Sequence, residues 1–183
     1  MQIENLQLGN IYSNEEIRST FGCSLQSGMN KSNRTNTLVL IINHIKSIYH
    51  DRWFNNKVHH IGKGQIGDQE LTRENKTLSE SKSNGVVPHL FEVFKAGEYI
   101  YRGQVHLYDK PYQKQQPDKN GDPRLVWVFP LKFNNNSKPI NHSEIENVFQ
   151  AQFKKSQKLS NEELESKANN LPDILGYREV ATI

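Results

Sequence analysis

A single cysteine, Cys23, serves a chain of 183 residues. That scarcity excludes a disulfide framework and a cysteine-rich zinc site within one chain, and it fits a reducing compartment. Apolar residues are also few, 34% with a mean hydropathy of −0.78, so exposed arms or loops are expected. No run approaches the roughly 20 apolar residues of a membrane span, and the N-terminus has no secretory apolar core. A soluble, cytoplasmic protein with no membrane partner is the expectation. The seven histidines show no HExxH or HxH spacing, and His59 and His60, being adjacent, point to opposite faces of any strand. No GxSxG elbow marks a hydrolase. The glycines of GKGQIG (62–67) have dinucleotide-fingerprint spacing without a surrounding βαβ unit. No catalytic residue, metal or cofactor is assigned.

What is present is unevenly spread. The net charge is only +3. Residues 27–82 nevertheless carry nine Lys/Arg against five Asp/Glu, and residues 95–138 carry eight against four. Both ends are net negative. Positive charge gathered in two middle stretches suits a polyanion, with a solvated lysine surface as the plain alternative.

The hydrophobic pattern divides the chain into elements. Ser13 and Glu16 have capping-box spacing ahead of a short helix, and Gly22 stands where a left-handed stop belongs. SGMNKSNRTN (27–36) reads as a polar loop, and TLVLIINHI (37–45) as a buried strand. A helix is expected from Asp68 to Lys82, capped by Asp68. VVPHLFEVF (86–94) and EYIYRGQVHLY (98–108) form a hairpin at Ala96-Gly97. A long polar loop, 109–123, leads to the strand RLVWVFPLKF (124–133), whose Pro130 argues for a sheet edge. Residues 134–183 read as a linker and a helical C-terminal arm. The class is α+β: a curved sheet of five or six strands with flanking helices at 1–133, followed by that arm.

One motif goes further. DQELTRENKTL (68–78) reads Asp-Gln-x-Leu-Thr-x-x-Asn-basic-x-Leu and follows a Gly-x-Gly turn that ends an apolar strand. Later come YRGQVHLY (101–108) and, after a Tyr-Gln stretch, LVWVFPLKF (125–133). In this order they resemble the SRA (SET- and RING-associated) domain, a reader of modified cytosine in DNA. More closely, residues 6–133 resemble the SRA-like N-terminal half of bacterial modification-dependent HNH restriction endonucleases. The resemblance implies an SRA/PUA-like, partly closed, barrel-like sheet. It also implies double-stranded DNA carrying 5-methylcytosine or a related base as partner, and recognition by base flipping. An HNH nuclease is absent from the chain, so residues 134–183 are expected to connect to one, or to join two copies as a homodimer.

The same resemblance distributes roles. The family's aromatic-Thr-Gly-x-Gly segment falls on His60, Ile61, Gly62, Lys63 and Gly64, so His60 replaces a tyrosine that stacks on the base, and Ile61 a threonine. A core histidine is the plain alternative for His60. Glycines let backbone N–H groups approach the ring. Asp51 is the candidate acceptor for the cytosine amino group, or else a turn acid beside Arg52. Tyr49 or Trp53 supplies a second stacking wall, and His44 lines the same side. Met29, Lys31, Arg34 and Lys63 are candidates for phosphate contact or for filling the gap left by the flipped base. Where eukaryotic relatives insert a long duplex-entering finger, this chain has only QIG, so Lys114, Gln115, Lys119 and Arg124 in 112–124 take that role. Asp68 and Gln69 cap and brace the helix. Two other readings stand beside this one: a nuclease with metal at His59/His60, and a PUA-type RNA-binding module.

Overall fold

Ser13 fulfils its spacing. Its hydroxyl accepts the Glu16 N–H and the Glu16 carboxylate accepts the Ser13 N–H, so helix α1 spans Asn14–Phe21 and stops at Gly22 with φ of 72°. The computed structural model describes residues 1–45, 51–54 and 56–134. Tyr49, the expected C-terminal arm and the homodimer contact assigned to it lie outside the described residues. A short 3-10 turn, Ile3–Asn5, and strand β1, Ile11–Tyr12, precede α1. After it come β2 (Met29–Ser32), β3 (Thr37–Asn43), β4 (Arg52–Phe54), β5 (Lys57–Ile61) and helix α2 (Arg73–Ser79). Strands β6 (Val87–Lys95), β7 (Glu98–Leu107), β8 (Tyr112–Pro117) and β9 (Pro123–Phe133) complete the described part.

These strands form one curled, half-barrel sheet in the order β2-β3-β6-β7-β9-β5-β4, with β1 attached to β7 and β8 to β9. β3 and β6 run parallel, from Thr37 opposite Val87 to Asn43 opposite Val93, and the other pairs are antiparallel. The connection from β3 to β6 therefore contains β4, β5 and α2. Both faces of β3 are covered, which explains its unbroken apolar run. Leu38, Leu40 and Ile42 join Leu78 of α2 in the main core, while Val39 packs with Ile17 and Phe21 of α1.

The sheet has nine strands among the described residues, not five or six, and the extra ones are those a hydrophobic pattern misses. In β2 the polar residues Asn30 and Ser32 are buried because the backbone satisfies them: Ser32 donates to the Phe21 carbonyl, and the Asn30 amide bonds the main chain at Gln26 and Ser27. β8 lies in the stretch read as a flexible loop. It has mostly exposed side chains and takes its order from pairing with β9, Tyr112 opposite Val128 through Pro117 opposite Pro123. Pro130 does not mark an edge. β9 lies inside the sheet between β7 and β5, and the Pro130 carbonyl accepts the Tyr108 N–H. No described helix is long and apolar enough to cross a membrane.

Candidate nucleic-acid interface

At the end of β5 the chain leaves the sheet through Gly62, Lys63 and Gly64. Gly62 is dictated by crowding: a Cβ there would lie 2.8 Å from both Asn75 Oδ1 and Gln69 Oε1. Gly64 is dictated by its φ of 136°. Two buried amides then hold the turn. Gln69 Nε2 donates to the Gly62 carbonyl at 2.6 Å and to that of Gly64 at 3.2 Å, while Gln69 Oε1 accepts the Trp127 N–H at 2.8 Å. Asn75 Oδ1 accepts the Lys63 N–H at 2.7 Å, and its Nδ2 donates to the carbonyls of Lys63 and Glu70. The amides supply the donors and acceptors that a neighbouring strand would otherwise provide.

The motif therefore acts differently from the expectation in one respect. Helix α2 starts at Arg73 with Thr72 at the cap position, so Asp68 is not its cap. Asp68 Oδ1 accepts the Leu125 N–H at 2.7 Å and the Gln69 N–H donates to the Leu125 carbonyl, which stitches the segment to β9. Gln69 braces the glycine turn and β9 and not the helix, and Asn75, which holds the same turn, was overlooked although it stands in the same motif. The tip of the β8–β9 hairpin secures the far side of the turn. Arg124 Nη1 donates to the Gly64 carbonyl at 2.7 Å, the Lys119 N–H to that of Gln65, and the Gly67 N–H to Asp118 Oδ2. Burial pushes the Asp118 carboxyl up, but N–H groups of Asn120, Gly67 and Asp122 and the Arg124 charge outweigh it and hold its pKa below the usual range.

Beside the turn, Asp51 and His60 form a buried pair, 4% and 3% exposed. Asp51 Oδ1 accepts from His60 Nδ1 at 2.8 Å and from the Ile61 N–H at 2.7 Å. A carboxylate only accepts, so the Nδ1 carries a ring proton, and in that tautomer of the neutral ring Nε2 is an acceptor. That Nε2 is buried without a partner, and so is the indole Nε1 of Trp53. Trp53 stands opposite Val58 in the β4–β5 pair, and Val58 shares a strand face with His60. An unused acceptor and an unused donor thus lie on one face of the same hairpin.

Several expected site residues sit elsewhere. His60 is enclosed, so it presents no open stacking plane. Trp53 is in the core, stacked on Phe133 at 5.8 Å and 11°. His44 joins a different buried set: its Nε2 meets Glu92 Oε1 at 2.9 Å, Arg102 Nε donates to the other Glu92 oxygen, and the His44 ring stacks on Phe94 at 4.4 Å. Met29 is 1% exposed in the core and cannot wedge into a duplex. Arg34 donates to the carbonyls of Ser19 and Thr20 at the end of α1, where a cation offsets the helix dipole. Arg124 is buried and braces the turn. Lys31, Gln115 and Lys119 are exposed, Lys114 is half-buried on β8, and Lys63 pairs with Glu74 at 3.1 Å. A concavity of about 800 Å³ lies between the N-terminal segment and Thr20, Thr37, His89 and Tyr101, and none of the expected base-pocket residues lines it. Among the described residues no group of three or more His, Cys, Asp or Glu is placed to hold a metal; His59 turns to Tyr108 and Tyr112, away from His60.

A curled, half-barrel mixed sheet with two helices is the architecture of an SRA-like modified-DNA-binding domain. The chain belongs to the ScoMcrA-like SRA domain family, which it matches over residues 8–150. Among solved structures it is similar to the sulfur binding domain and SRA domain of ScoMcrA complexed with phosphorothioated DNA, at 15% identity and a TM-score of 0.58 over 78% of this chain and 45% of that one. The type IV phosphorothioation-dependent restriction endonuclease ScoMcrA matches at 16% identity and a TM-score of 0.57, over 78% of this chain and 32% of that one. The SUVH5 SRA domain in complex with fully methylated CG DNA is similar at 17% identity and a TM-score of 0.57, over 75% of this chain and 95% of that domain. This chain thus spans less than half of the ScoMcrA chains and nearly all of the SUVH5 domain. No curated protein matches it.

Proposed function

We propose that this chain recognises 5-methylcytosine, or a related 5-modified cytosine, in duplex DNA by base flipping, as the specificity part of a modification-dependent restriction endonuclease. Residues 1–133 form the reading domain, and 134–183 lead towards an HNH nuclease in a bacterial cytoplasm. A homodimer through residues 134–183 finds no support among the described residues and is not part of the reading. The observation that carries the proposal is the Asp51–His60 pair beside the Gly62–Gly64 turn, in a fold shared with SRA domains seen on modified DNA. Everting a base costs about a few kcal/mol of stacking and pairing, which phosphate contacts offset. The base edge then needs a buried acceptor for the cytosine amino group and a donor for its ring acceptors. His60 Nε2 and Trp53 Nε1 have those two characters and no protein partner. Asp51 fixes the tautomer that makes Nε2 an acceptor, so it acts through His60 instead of touching the base as expected.

Gel-shift titration of the chain against methylated and unmodified duplexes of one sequence tests this. Tighter binding to the methylated duplex is expected, with no strand cleavage. Equal affinity for the two would remove the specificity, and cleavage of a modified plasmid by metal-loaded protein would favour the nuclease reading instead.

A further inference from the structure

Strand β5 has a second face that the Asp51–His60 pair does not use. Val58 and His60 point inward, whereas Lys57 and His59 point outward. The register places Lys57 opposite Lys132 of β9, and Lys132 opposite His106 of β7. Three basic side chains therefore form one row across three strands. Adjacent strands are about 4.8 Å apart, so the row spans roughly 10 Å, an axial length in which one DNA strand carries about three phosphates. The next row holds His59, whose Nε2 lies 2.5 Å from Tyr108 Oη and whose Nδ1 lies 3.0 Å from Tyr112 Oη. Lys57 Nζ sits 4.5 Å above the Tyr108 ring, and Tyr112 is 42% exposed.

This arrangement is unfavourable for a face that meets only water. Like charges directly opposite each other on paired strands are destabilising, yet Lys57 faces Lys132. The positions sharing this face around the row, Lys57, His59, Ile61, Gln104, His106, Val128, Pro130 and Lys132, include no carboxylate, and the nearby Asp109 acts on the Tyr108 hydroxyl without forming an ion pair with either lysine. Elsewhere Lys63, Lys76 and Lys95 each sit against a glutamate; among the described residues Lys57 and Lys132 have no such partner. An anion laid along the row would relieve the repulsion and use the held aromatic rings as a flat, hydrogen-bonding floor.

We infer that this outer face of β5, β9 and β7 contacts the phosphate backbone of the duplex whose base enters the pocket. The inference rests on the proposed function. Lys57 and Lys132 neutralise phosphates, and the His59–Tyr108–Tyr112 cluster fixes the Lys57 ammonium by cation–π contact. Such contacts carry no sequence information and add affinity to any duplex.

The test uses the full chain with Lys57→Gln, Lys132→Gln and the double variant, measured by fluorescence anisotropy on methylated and unmodified duplexes over a range of salt. Each single variant should weaken binding several-fold and reduce the slope of log affinity against log salt by about 0.9, and the double by about twice that. The ratio of methylated to unmodified affinity should stay constant. Lys82→Gln, beyond α2, should change neither quantity, and melting temperatures confirm that the variants are folded. An unchanged slope in the double variant, with wild type still preferring methylated DNA, would overturn the inference and leave the pocket reading intact. Loss of methyl preference in wild type with slopes that still fall would retain this face and sink the pocket. Preferential binding of single-stranded RNA, lost in the double variant, would overturn the assignment to DNA.

Discussion

Two buried histidine–carboxylate pairs lie in the same sheet, and they are built differently. Glu92, fully buried, gives one oxygen to His44 and the other to Arg102, so three strands (the end of β3, β6 and β7) meet on a single carboxylate. Asp51 Oδ1 accepts from His60 and from the Ile61 N–H, and in this pair it is the histidine that keeps a ring nitrogen with no partner. A carboxylate with both oxygens engaged by different strands is a fastener. A pair with a buried atom left over costs desolvation without return, which is understandable where a ligand completes it. The comparison separates the part of the fold that holds the sheet from the part proposed to meet DNA, although both use the same residue types.

The largest expected effect comes from removing the carboxylate shared by three strands. Glu92→Ala takes the buried counter-charge from the Arg102 guanidinium and should cost about 3–5 kcal/mol in urea unfolding. Methyl preference should persist in whatever fraction stays folded. A loss below about 1 kcal/mol, the range of exposed pairs, would show that Glu92 does not fasten the strands.

A third buried histidine sharpens the contrast because its partner is neutral. His89 Nδ1 lies 2.9 Å from Tyr101 Oη, and burial lowers its pKa from 6.5 to about 4. Between those values the unfolded chain takes up a proton that the folded chain refuses, so stability falls as pH drops from 6.5 to about 4. For this group the fall is on the order of 3 kcal/mol and levels off below the folded value. Unfolding free energies at several pH values should show this slope in wild type and lose it in His89→Gln. An equal slope in both would assign it to carboxylates.

The smallest effect concerns the pair with the spare atom. An asparagine at position 60 can keep the donor to Asp51 while lacking any counterpart of Nε2. His60→Asn should therefore leave the melting temperature nearly unchanged yet weaken binding to methylated duplex by about 1–3 kcal/mol, a buried hydrogen bond. If His60→Asn binds methylated duplex as wild type does, Nε2 lies outside the recognition surface and the two pairs differ only in their protein partners.

Much of this molecule could be read before its fold was known. The capping box at Ser13 and Glu16, the Gly22 stop and the Ala96-Gly97 hairpin are local, set by backbone groups within a few residues, and each stands in the structure as read. The Gly62–Gly64 turn was legible for a similar reason, since glycines mark where the backbone turns tightly, whereas Gln69, expected to brace the helix, braces that turn and β9. Strands β2 and β8 were not legible, because their order comes from partners far along the chain. Met29, Arg34 and Arg124 were misplaced in the same way. Each looked like a surface residue of a loop until the sheet enclosed it or a distant carbonyl engaged it.

Residue order by itself determined the local geometry, the family pattern and the gathering of positive charge in the middle of the chain. Tertiary structure alone decided which histidine shares its carboxylate with an arginine, which keeps an unused nitrogen, and that Lys57 stands beside Lys132. The reason is physical. Turn and cap preferences arise between neighbouring residues, whereas burial, desolvation and charge proximity exist only after distant strands have been brought together.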